Sequence, residues 1–162
     1  MHQPIEHLSD DSRIWVFGIS PALDETRSAI LLDAIDGFLA GWAAHGTSIA
    51  SARAVIEGSF LVIAVDRQSE TSGCSIDKMF GLVQALEPRL GAAILDPNRL
   101  FYRDAAGAVA AASRADFRKL ATSGAITPDT IVFDTLAERL GEVRSARWEK
   151  PVRESWHREI IN

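Results

Sequence analysis

Phe60-Leu61-Val62-Ile63-Ala64-Val65 is an unbroken run of six apolar residues. An extended chain turns successive side chains to opposite faces, so a run without a polar member predicts a strand covered on both sides and central in its sheet. Gly58-Ser59 before it is short enough for a hairpin turn, and Asp66 closes it. Across that turn, the segment 50–57 alternates Ala52, Ala54 and Ile56 against Ser51, Arg53 and Glu57, the pattern of an edge strand with one wet face. Further out, Ile14-Trp15-Val16-Phe17-Gly18-Ile19 is a second continuous apolar run, ended by Ser20-Pro21. It is expected to be the other central strand.

Between these strands Asp24 is placed to cap a helix over 24–45, with Leu31, Ile35, Phe38 and Trp42 on one stripe, His45 at its end and Gly46 as its stop. A second helix is expected over 75–90, with the stripe Ile76, Met79, Phe80, Val83, Leu86, Leu90 and Gly91 as its stop. Leu100–Arg103 follows the turn Asp96-Pro97-Asn98 as a fourth strand. The order is β-α-β-β-α-β, which predicts a ferredoxin-like α+β core over 12–104: an antiparallel sheet with strands 14–19 and 60–65 in the middle and both helices on one face. One domain spans 1–162, with a loose arm at 1–11 and an extension at 105–162 that packs on the core. Within the extension Ala108–Ser113 pairs with 100–103, Ser113 caps a short helix ending before Gly124, Ile131–Phe133 is a strand, and Thr135 with Glu138 caps a helical segment before Gly141. Trp148 or Trp156 is expected to cover the sheet face opposite the helices.

The chain of 162 residues is 47% hydrophobic and 24% charged, a composition that can bury one core. A formal charge of −5 argues against a nucleic-acid binder, which needs a basic face. No run reaches the length of a membrane helix and no signal peptide is legible, so a cytoplasmic protein without membrane contact is expected. A single cysteine, Cys74, excludes an internal disulfide framework and suits a reducing compartment. Phosphate-loop, dinucleotide-loop, zinc-protease, C-x-x-C and G-x-S-x-G patterns are all absent. No cofactor and no metal site are therefore expected.

The string Ser72-Gly73-Cys74-Ser75-Ile76-Asp77-Lys78, with Trp42 and His45 upstream and Asp66 closing the preceding strand, resembles a family of small uncharacterised bacterial proteins. Some of its members carry a transporter-ATPase label, which does not transfer to a chain without a phosphate loop. The resemblance implies a site around Cys74 and no particular reaction.

Strand directions in the expected topology bring His45, Asp66, Cys74, Ser75, Asp77 and Arg103 to one edge. Two functional readings follow. In one, Cys74 is a nucleophilic or redox thiol, activated by the helix start and by His45 as base, with Asp66 alongside. In the other, the N–H groups and hydroxyls of Ser72, Gly73 and Ser75, with Asp77 nearby and Arg103 as clamp, bind a small anionic ligand. The plain alternatives are a cysteine packed as a small hydrophobe, a dipole-favoured His45 and carboxylates that only cap turns. A third reading is a non-catalytic interaction module using a sheet edge or open face, with the 50–57 strand as candidate edge and a homodimer as one partner.

Overall fold

In the computed structural model, which describes residues 2–44, 46–69 and 71–162, the elements run β1 (Arg13–Gly18), α1 (Glu25–Ala40), β2 (Ala43–Ala44), β3 (Thr47–Ser48), β4 (Ser51–Ile56), β5 (Phe60–Val65) and α2 (Gly73–Leu90). The chain continues through β6 (Arg99–Arg103), β7 (Val109–Ser113), α3 (Arg114–Thr122), β8 (Ile131–Phe133), α4 (Leu140–Arg144), β9 (Glu149–Pro151) and α5 (Arg158–Ile161). The fold is α+β. Its antiparallel sheets have the orders β1-β5-β4 and β7-β6-β8-β9, and β2 with β3 forms a small ladder.

Strand β5 is central and buried along its whole length. Its Leu61, Ile63 and Val65 face one core with Leu31, Ile35 and Leu39 of α1 and Met79, Val83 and Leu86 of α2. Its Phe60, Val62 and Ala64 face a second core that contains Phe101 and Phe133 from the other sheet and Trp148 from the turn before β9. The second sheet repeats this arrangement: Leu100, Ala112 and Val132 turn away into a third core with Phe117 of α3 and Ile160 of α5. Helices, sheet, sheet and helices thus stack as four layers, with β1, β4, β5, β6, β7 and β8 supplying apolar side chains to both of their faces.

The first sheet has strands 14–19, 60–65 and 50–57 side by side in the expected relative order, with α1 and α2 on one face. The fourth place departs from expectation. Strand β6 pairs with β7 and β8 in the second sheet, so β1 is an edge strand and not a central one. The reason lies in β6 itself. Phe101 is apolar on one side, Leu100 and Tyr102 on the other, and the short hairpin through Gly107 hands it β7 as a neighbour.

Other boundaries shift for local reasons. Helix α1 stops at Ala40, not at 45, because the Gly41 N–H turns back to the Phe38 and Leu39 carbonyls and the chain leaves for β2. The segment expected to start at Thr135 is a loop, and the helix begins at Leu140, where the Glu142 carboxylate accepts the N–H groups of Glu138 and Arg139. Residues 2–11 are not a loose arm: Leu8 is buried in the second core, and the Gln3 N–H donates to Ser51 O at the outer edge of β4. Trp148 covers the sheet face opposite α1 and α2, against Phe60 at 4.8 Å between ring centroids.

Candidate functional site

The start of α2 is built by its serines. Ser72 Oγ accepts the Ser75 N–H, and Ser75 Oγ accepts the Ser72 N–H while donating to Ser72 O, a reciprocal box that closes the first turn. Both hydroxyls offered as anion ligands are thereby engaged within the cap. Gly73, Cys74 and Asp77 are exposed, and Cys74 occupies the first turn of the helix. Asp66 closes a tight turn, accepting the Gln68 N–H. His45 lies outside the described residues, so its relation to Cys74 does too.

Arg103 is not part of this edge. Its guanidinium binds Glu57 and Glu149 and donates to Gly107 O. Glu57 sits at the β4–β5 turn, the opposite end of β5 from Asp66. The two carboxylates raise the Arg103 pKa further above its usual range, Glu57 first, and Arg103 in turn holds Glu57 below the carboxylate range. This clamp ties the first sheet to the second and has no charge to spare for a ligand.

Exposure of Cys74 has a direct chemical consequence. Iodoacetamide should modify the native protein stoichiometrically without prior unfolding, and Cys74→Ser should change stability by no more than about 0.5 kcal/mol, as for other surface substitutions. Mass spectrometry and urea titration check the two parts.

A larger feature lies elsewhere, along the open side of β1. Here a groove of about 1090 Å³ is bounded by β1, by the segment 94–101 and by the loop 135–139. Its floor includes Trp15, Phe17 and Phe101. Phe80 and Leu136, the large apolar side chains that the described residues expose at 37% and 68%, both line it. Arg13, Arg99, Arg114 and Arg139 stand around it against two carboxylates, Asp96 and Glu138. Asp96 pairs with Arg99 at 3.2 Å, while Arg13, Arg114 and Arg139 have no ion-pair partner among the described residues. Arg13 stacks on the Trp15 ring at 4.4 Å, which holds its charge at the groove mouth.

The backbone at the groove is as informative as its side chains. The Ile19 N–H donates to Ser59 O, so the odd-numbered residues of β1 bond toward β5, and Ile14, Val16 and Gly18 point their N–H and C=O groups outward. The ends of that outward row are taken. The Ile14 N–H donates to Glu138 O, the Leu140 N–H donates to Ser12 O, and Ser20 exchanges both bonds with Ala93. Beyond Ile14 the loop leaves, because the Glu138 N–H turns to Glu142. The Ile14 C=O and both backbone groups of Val16 and Gly18 face the groove without a backbone partner among the described residues. Gly18 also admits the ring of Phe101, which would stand 2.1 Å from a Cβ there.

Sequence reasoning reached none of these groove residues as a site. A lone glycine inside an apolar strand is the one available signal, since it marks a close approach. Ser155 and His157 were missed as well. The Ser155 Oγ lies 2.6 Å from His157 Nδ1, and His157 is 1% exposed and stacked on Trp156. Burial pushes its pKa down to about 4, with smaller contributions from Arg114 and Lys150, opposed by Asp134. Among the described residues no helix is long and apolar enough to cross a membrane. No protein family, curated protein or solved structure matches the chain.

Proposed function

We propose that this chain is a non-catalytic binding module that docks an acidic, apolar segment of a partner protein in the groove along β1. The observation that carries the reading is the meeting, in one groove, of Phe80 and Leu136 with three arginines that lack a counter-charge. Exposed apolar side chains gathered in a concave site mark interaction surfaces more often than scattered ones do. The charge sign selects the partner. Four arginines against two carboxylates give the groove a local excess of positive charge in a chain of net charge −5, so an acidic segment is steered in.

The start of α2 has weaker support as an anion or thiol site. Its hydroxyls bond the backbone groups of the cap, and Arg103 is held by Glu57 and Glu149. We read β1, β5, β4, α1 and α2 as a ferredoxin-like βαββα unit with one strand place unfilled. A cytoplasmic setting suits its lone exposed thiol.

The test uses two pools of eight-residue peptides with random β-branched and aromatic centres, one with acidic ends and one with lysine ends. The acidic pool should yield binders, and Leu136→Asp should weaken them by at least roughly tenfold, about 1.4 kcal/mol. Leu136 is exposed, so that variant keeps the fold. Equal recovery from the lysine pool, or binding indifferent to Leu136→Asp, would overturn the reading.

A further inference from the structure

Resting on the groove reading, we infer that the docked segment enters as an extended strand and completes the first sheet beside β1. Five outward backbone groups, the Ile14 C=O and the N–H and C=O of Val16 and Gly18, form a row with ladder spacing and no backbone partner among the described residues. A row of this kind is satisfied by main-chain pairing with another strand, which supplies affinity without reading sequence, while side-chain pockets and charge supply specificity. It occupies the side of β1 where the fourth strand of a ferredoxin-like sheet would lie.

The geometry limits what can enter. The Ser20–Ala93 pair closes one end of the row, and the bonds between Ile14 and Glu138 and between Ser12 and Leu140 close the other. The open length is the stretch 15–19, about 16 Å at the usual rise per residue. Walls rise on both sides, formed by 94–101 and 135–139. A single narrow strand of four or five residues fits between them. The edge of a second copy of this chain arrives with a sheet attached and is blocked by the same walls. Arg13 and Arg139 lie at the Ile14 end, so the acidic flank of the segment belongs there.

Two measurements on a peptide recovered from the acidic pool test the inference. The first methylates its backbone nitrogens one at a time. Strand pairing predicts losses of roughly tenfold or more at alternate positions only, because alternate N–H groups face β1. The second uses Val16→Pro, which removes an outward donor that no described residue uses; proline is tolerated at such positions on edge strands. It should weaken the peptide by roughly tenfold. Methylation losses without period two, with Leu136→Asp still abolishing binding, would overturn strand entry and leave the groove reading standing. Failure to recover any acidic peptide would sink both. A dimer in sedimentation equilibrium that Val16→Pro dissociates would assign the edge to a second copy and overturn the inference; a monomer that binds peptide one to one supports it.

Discussion

Replacing Trp148 by alanine should lower the free energy of unfolding by about 3–5 kcal/mol, the range for deleting a fully buried large aromatic side chain. Trp148 is 3% exposed and joins Phe60 of the first sheet to Phe133 of the second, with ring centroids 4.8 and 5.1 Å away. Phe60 and Phe133 contact each other at 4.7 Å, so the indole completes a three-ring cluster at the interface of the two sheets. Its loss opens a cavity lined by rings that cannot collapse without moving a strand. Trp148→Phe should recover part of the loss. Urea unfolding followed by far-UV circular dichroism checks both variants, and a cost below about 1 kcal/mol, typical of surface sites, would refute the role assigned to the indole.

Lowering the pH from 7 to 4 should remove about 3 kcal/mol of stability through His157 alone. Its folded pKa is pushed down to about 4 by burial, against an unfolded value of about 6.5. Between those values the unfolded chain binds a proton that the folded chain refuses, so stability rises with pH across the window and is lost as the pH falls from about 6.5 to 4. Lys150 and Arg114 add to the depression, while Asp134 opposes it. The carboxylates of Asp11, Asp36 and Glu57 are held below their usual range by Ser9 and Arg67, by Arg53 and by Arg103 respectively. The contribution of the two aspartates is lost only at still lower pH, and that of Glu57 begins to fall only at the lower end of the window, which separates the effects. His157→Asn should flatten the slope between pH 6.5 and 4, and an unchanged slope would show that the ring titrates freely.

The faces of strands 60–65 and 14–19 were legible in the sequence, but the edges of the strands were not, and the wet face expected for 50–57 is covered by α1, with Ser51 buried and Val55 packed on the first core. The runs 60–65 and 14–19 look alike because both are apolar on two faces, and in the structure both are indeed covered on two faces. Only 60–65 has neighbours along its whole length on both sides. Side-chain character reports what lies above and below a strand, while pairing along its edge is a backbone matter that leaves no mark on composition. The same distinction explains the site. Cys74 stood out because thiols are chemically conspicuous, whereas the groove along β1 is assembled from segments near 15, 80, 97 and 136 and depends on main-chain groups of Val16 and Gly18. The helix starts at Asp24 and Ser113 and the stop at Gly91 were readable because capping is local chemistry.

The ties between the first strand and residues 138–144 also bear on the order in which the molecule can assemble. Ile14 bonds to Glu138, Ser12 to Leu140, and Asp10 to Gly141 and Arg144, while Trp148 seals the layer between the sheets. Contacts separated by so much chain close late, since the loop entropy must be paid before they form. On the ribosome, the hairpin of β4 and β5 can pair early. Its face toward the second sheet, with Phe60 and Val62, is covered only in part by Phe101 and Phe133 until Trp148, more than eighty residues further on, has been synthesised. This places the interval of greatest aggregation risk during translation, between the emergence of Phe60 and that of Trp148.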